Sequence, residues 1–160
     1  MPNQTEYKEY FADCYVLSEN RSKKFIQLFL DKFIPNRKEL SNEYEIPQYS
    51  DNPIITFNNA TCLIDYLTAY KNVKHTIYWK NNDKSKLKGA MCFFTEDNQV
   101  IFGIYCNTAF PDKSIESDYL NKLKEFCNSN IGYFTYEEPA TDNVSDFLKR
   151  AYYFQSNPEQ

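Results

Sequence analysis

The sequence predicts an α+β fold: a mainly antiparallel sheet with about three helices packed on one face, in a single domain spanning residues 1–160. Apolar residues recur at helical spacing near both ends of the chain and at alternating spacing in its middle, the periods of amphipathic helices and of strands. The links between the middle apolar runs are short, which favours antiparallel hairpins. No repeat, low-complexity linker or composition break divides the 160 residues, a length that forms one core and buries roughly 70% of its unfolded surface.

The elements follow in order. Phe11 to Leu17 reads as a strand, interrupted only by Asp13. Ser22 is placed to cap a helix carrying Phe25, Ile26, Phe29, Leu30 and Phe33, which Pro35 forbids from continuing. From Asn36 to Asn52 the chain is a polar arm, in which Tyr44-Glu45-Ile46-Pro47 suits an edge strand or a turn. After Ile54 to Phe57, of β composition, Asn58 or Asn59 caps a second helix with Cys62, Leu63, Tyr66, Leu67 and Tyr70 on one face. Thr76 to Lys80, Leu87 to Phe94 and Val100 to Cys106 read as three successive strands, with Glu96-Asp97-Asn98 turning the second hairpin. Gly103 inside the third marks a bulge or a close approach. Ser114 is placed to cap a third helix through Cys127, Gly132 opens the aromatic strand Tyr133 to Tyr136, and Asn143 or Ser145 starts a short terminal helix through Phe147 and Leu148. Aromatic residues make up 18% of the chain, so rings are expected to dominate the core, the Phe residues above all.

The formal net charge is −4, which argues against a general nucleic-acid-binding role. Lys80, Lys84, Lys86 and Lys88 around the first hairpin are read as protection of an edge strand rather than a nucleic-acid surface. No apolar run reaches the length of a membrane span and the first residues lack a signal-peptide core, so a cytoplasmic, membrane-independent protein is expected. Five dispersed cysteines without a Cys-x-x-Cys pair are expected to be reduced, most of them buried. His75, the single histidine, has no metal-ligand spacing around it and reads as a partly exposed loop residue. Three glycines far apart exclude a dinucleotide fingerprint or a phosphate-binding loop. No catalytic residue, metal site or cofactor is expected.

Two acidic and aromatic groups remain as candidate partner-binding residues. Tyr133, Tyr136, Glu137, Glu138 and Asp142 lie at the end of the last strand and beyond it, and Glu43, Tyr44 and Glu45, followed by Tyr49 and Asp51, lie in the arm. Tyr beside carboxylates suits a protein interface, while the same residues also suit an ordinary solvated loop. As an acid–base pair Glu137 and Glu138 are disfavoured, because neighbours on a strand point to opposite faces. From Ile77 to Phe147 the chain resembles small bacterial immunity-type proteins encoded beside polymorphic toxins. The resemblance is carried by Tyr78-Trp79-Lys80-Asn81, Met91-Cys92-Phe93-Phe94 with Asp97-Asn98, Ile101-Phe102-Gly103-Ile104, Gly132-Tyr133-Phe134, Glu137-Glu138-Pro139 and Phe147. Asn98 stands where a turn glycine is common in that pattern, and Ala140 where a second proline would follow Pro139. The resemblance implies a non-enzymatic protein that binds a cognate toxin, basic targets being favoured by the acidic charge. The alternative reading is a small-molecule-binding or enzymatic α+β domain with an aromatic-lined pocket.

Overall fold

The computed structural model describes residues 11–157. In chain order these form β1 (Phe11–Ser18), α1 (Lys23–Phe33), β2 (Arg37–Glu39), β3 (Tyr44–Ile46), β4 (Ile55–Phe57), α2 (Ala60–Ala69), β5 (His75–Asn81), β6 (Leu87–Phe94), β7 (Val100–Asn107), α3 (Ser114–Cys127), β8 (Gly132–Tyr136) and α4 (Val144–Ser156). Six strands build one sheet in the order β2-β5-β6-β7-β1-β8, every pair antiparallel. β3 and β4 form a separate two-stranded sheet. Four reversals separate β1 from β2, so these two strands run in the same direction, with α1 crossing between them.

Local chemistry starts and stops the helices. Ser22 Oγ accepts the Phe25 amide at 3.2 Å, Asn59 Oδ1 the Cys62 amide at 2.8 Å and Asn143 Oδ1 the Asp146 amide at 2.8 Å, each satisfying a donor that has no partner within its helix. α3 differs from expectation: Ser114 is its first residue and not its cap, and Asp112 Oδ1 accepts the Ser114 amide at 2.9 Å from outside the helix. α4 runs on to Ser156 because Ala151, Phe147 and Phe154 continue an apolar stripe beyond Leu148.

The two faces of the sheet bury different sets of side chains. On the first face Ala12, Cys14, Val16, Ile77, Cys92, Phe94, Phe102 and Ile104 meet α1, α2 and α3. Ile26, Phe29 and Leu30 are buried on α1, each stabilising the fold by roughly 1.5–3 kcal/mol, and rings interlock there: Phe29 to Phe102 at 4.8 Å and Phe25 to Phe126 at 5.0 Å. On the second face α4 packs against β8, placing Phe147 and Ala151 over Tyr15, Leu17, Phe93 and Tyr133. The three-helix face is as the sequence predicts, and the fourth helix lies opposite it. Asp97 in the β6–β7 hairpin fixes the start of α4 by accepting the Val144 amide at 3.0 Å, and Asn98 takes φ 79° in that hairpin, a conformation Asn tolerates.

Several expectations change. β5 is not an edge, because β2 pairs with it and Gln48 bonds Thr76 through both ends of its amide, at 2.9 and 3.1 Å. Lys80 and its neighbours therefore do not protect an edge strand. Gly103 makes no bulge; the register shift lies between Leu87 and Gly89. His75 is buried, since the β3–β4 hairpin closes over it with Tyr44 at 6.1 Å and the Glu45 carbonyl 3.0 Å from Nε2. All five cysteines are free; Cys62 is exposed on α2, and Cys14, Cys92 and Cys106 are buried. Arg21 is buried and has no ion-pair partner among the described residues. Its guanidinium donates to the carbonyls of Leu67 (2.9 Å), Thr95 (2.6 Å) and Val73 (2.8 Å), tying the C-terminal end of α2 to the β6–β7 hairpin. Desolvation lowers its pKa to about 10, so the cation persists at neutral pH and meets the carbonyl end of the helix dipole.

Candidate functional site

The sheet register lays the second face out as rows. One row runs Tyr78, Met91, Gly103, Tyr15 and Tyr133; the next runs Lys80, Gly89, Tyr105, Asp13 and Thr135. The two glycines are needed because rings rest on them. A Cβ at Gly89 would lie 2.3 Å from the Tyr105 ring and 2.3 Å from the Trp79 carbonyl; one at Gly103 would lie 3.0 Å from the Met91 methyl and 3.1 Å from the Tyr15 ring. α4 covers the β8 side of this face. Toward β5 and β6 no helix lies over the rows among the described residues.

Asp13 sits at the border of the covered part. Its Oδ2 accepts the Glu138 amide at 3.1 Å. Burial, with smaller repulsions from Glu137 and Glu138, outweighs that bond and pushes its pKa up to about 6. Burial first raises the phenols of Tyr15, Tyr78, Tyr105 and Tyr133 above the ordinary range; the charge of Asp13 adds to it, most among the neighbours of Tyr15 and Tyr105, behind Tyr49 at Tyr78 and behind Glu138 at Tyr133, where a hydrogen bond from Arg150 works the other way. They are neutral donors at physiological pH. Tyr49, 79% exposed at the tip of the β3–β4 turn, also lies within electrostatic reach of Tyr78.

The candidates from the sequence divide. Tyr133 is buried, its ring stacked on Phe154 at 4.8 Å and beside Phe147 at 5.2 Å, so it is a core residue and not a partner contact. Tyr44 is buried likewise, its hydroxyl donating to Glu39 at 2.9 Å, which closes the arm onto the sheet. Tyr136 is half-buried, and its hydroxyl donates to Glu116 Oε2 at 2.8 Å; Glu116 is fully buried and its other oxygen has no partner. Glu45 is half-buried and turns its carboxylate onto the Tyr49 amide at 2.7 Å. Glu43, Glu137, Glu138 and Asp142 are exposed. Glu137 has φ 54°, turning the chain so that Glu138 pairs with Arg150, while Asp142 lies 3.6 Å from Lys74. Sequence reasoning missed Asp13, Tyr15, Tyr78 and Tyr105. The signal was a lone acid at an alternate position of an apolar strand.

β8 presents a second feature. The Leu17 amide donates to the Ile131 carbonyl at 2.9 Å, and bonding residues alternate along an antiparallel pair. Tyr133 and Thr135 therefore bond toward β1, and the N–H and C=O groups of Gly132, Phe134 and Tyr136 point away from it. Among the described residues no strand lies beyond them. A groove of about 800 Å³ follows this edge between α3 and α4, lined by Leu120, Lys124, Phe134, Leu148 and Tyr152 among others. It contains neither His75 nor a cysteine. A smaller hollow of about 550 Å³ beside Glu19 does contain Cys127, whose thiol burial pushes up to about 12, far from a thiolate at neutral pH. No group of three or more His, Cys, Asp or Glu among the described residues is arranged to hold a metal ion, and no described helix is long and apolar enough to cross a membrane.

No family model, curated protein or solved structure matches this chain.

Proposed function

We propose that this chain is an inhibitor of the immunity type, a bacterial cytoplasmic protein that binds and blocks a cognate toxin by direct contact and performs no catalysis. The observation that carries the reading is the outer edge of β8. Gly132–Tyr136 is an uncharged strand whose outward backbone groups have no strand partner among the described residues, and natural sheets ordinarily protect such an edge. The other edge shows that protection: β2 is three residues long and reads Arg37-Lys38-Glu39. Beside β8 stand Ile131, Leu148 and Tyr152, between 40% and 72% exposed, a ring and aliphatic groups of the kind that anchor interfaces. An edge strand with an apolar groove alongside suits a partner that adds a strand and seats alternate side chains. Exposed Glu137, Glu138 and Asp142 follow directly, so a basic partner is steered to the same end of the molecule.

The test is co-expression with the product of the adjacent gene. That product is expected to arrest growth alone, and this chain to restore growth and co-purify with it. Leu148→Asp, a change at a solvent-facing position, is expected to weaken the complex about tenfold or more without loss of fold. An adjacent product that is harmless alone and forms no complex overturns the reading.

A further inference from the structure

We propose that the strand which adds to β8 carries an aspartate or glutamate opposite Gly132, received by Lys124 of α3, with apolar residues on either side of it in sequence. This rests on the strand-addition reading given above and names the chemistry that the edge selects. The outward backbone groups belong to Gly132, Phe134 and Tyr136, and Phe134 and Tyr136 direct their rings to the three-helix face. Residues opposed on neighbouring strands project to the same side of a sheet. A residue opposite Gly132 therefore points to the α3 side, and its neighbours in sequence point to the α4 side, where Leu148 and Tyr152 are exposed.

Lys124 fixes the position of the charge. It lines the groove along the edge and is the one charged residue among the described residues that do. Its carbonyl accepts the Ser129 amide at 3.1 Å, which places this turn of α3 beside the chain entering β8 at Gly132. Gly132 puts no side chain between Lys124 and an incoming residue, and β1 keeps it so: a Cβ there would lie 2.5 Å from the Tyr15 carbonyl. Within α3 the residues three and four positions from Lys124 are Leu120, Asn121, Cys127 and Asn128, none of them acidic. Lys122, by contrast, has Asp118 and Glu125 at those spacings and stands over the Tyr119 ring at 5.3 Å. The four ion pairs among the described residues do not involve Lys124. It is half-buried in a groove walled by Leu120 and Phe134, so a carboxylate meets it in a partly desolvated setting, while an arginine or lysine at the same position would face it as a like charge. At the other end of the edge Glu137 is exposed, so the carboxylate belongs beside Gly132 and not beside Tyr136.

The full chain is titrated with the acetylated and amidated peptide Thr-Ile-Thr-Val-Asp-Val-Thr-Ile-Thr, whose order reads the same in both directions, and with the same peptide carrying Asn in place of Asp. The Gly132, Phe134 and Tyr136 amides are followed by NMR. Saturable shifts of these amides are expected with both peptides, the Asp form binding about fivefold more tightly at low salt and losing most of that advantage at about 1 M salt. Lys124→Gln is expected to remove the difference, and Lys124→Glu to favour a third peptide with Lys in place of Asp. Equal affinity for the Asp and Asn forms, or a preference that persists in Lys124→Gln, overturns the proposal and leaves strand addition standing. Shifts confined to other amides, or shifts of these three with protein concentration alone, as a second copy on the edge would give, overturn the proposal together with the addition of a partner strand. Co-expression is read separately: failure of growth rescue refutes the toxin as partner and leaves the peptide selectivity in place.

Discussion

Asp13 occupies a sheet face where burial disfavours its charge, and the two backbone amides of Glu137 and Glu138 only partly offset that, leaving its pKa near 6 against an ordinary 3.8. The folded protein therefore holds this proton more tightly than the unfolded chain does. The stability it contributes is fully present below about pH 4 and is lost as pH rises through about 6. For a partly exposed group the loss is about 1–2 kcal/mol. Asp13→Asn is expected to abolish this component, so the difference in unfolding free energy between the variant and the parent should grow in favour of the variant from pH 4 to pH 7, as measured by urea denaturation. A difference independent of pH would show that Asp13 is not desolvated as described. Arg21 is the opposite case: more deeply buried than Asp13, it is satisfied by backbone carbonyls on several sides and serves the fold.

At the scale of elements, the glycines report how closely the rings lie on the sheet. An alanine at Gly89 meets the Trp79 carbonyl, a backbone atom of a central strand that cannot yield, as well as the Tyr105 ring. At Gly103 the added methyl meets only side chains, the Met91 methyl and the edge of Tyr15, which can give by a few tenths of an ångström. Gly89→Ala is expected to destabilise by about 2–3 kcal/mol and to displace Tyr105, and Gly103→Ala by about 1 kcal/mol, read from denaturation midpoints and from the Tyr105 ring resonances. The reverse order would mean that the rows are not packed as described. Helices α1 and α2 and the strands β6, β7 and β8 were legible from the sequence because their apolar spacing and their caps agree. β2 was not, since Arg37-Lys38-Glu39 has no strand composition and is held only by its pairing with β5. The extent of α4 was hidden for a related reason: Tyr152 and Tyr153 blur a stripe whose inward members are Phe147, Ala151 and Phe154.

Across the whole molecule, three helices fill one face of a six-stranded sheet, while α4 closes only part of the other. The acidic turn after β8, the outer β8 edge and α4 therefore lie at one side of the sheet. The sequence anticipated the turn, through Glu137, Glu138 and Asp142, yet it assigned Tyr133 and Tyr44 to the surface because composition cannot tell which face of a strand or hairpin a ring occupies. The rows of the second face were illegible because Tyr78, Met91, Tyr105 and Asp13 come from separate strands and are aligned only through register. The central claim is that a partner adds to the β8 edge. Amide hydrogen exchange of the full chain, alone and with the product of the adjacent gene, tests it most directly. Protection of the Gly132, Phe134 and Tyr136 amides on complex formation is the expected result; a complex that forms while these three amides exchange as fast as in the free protein would contradict it.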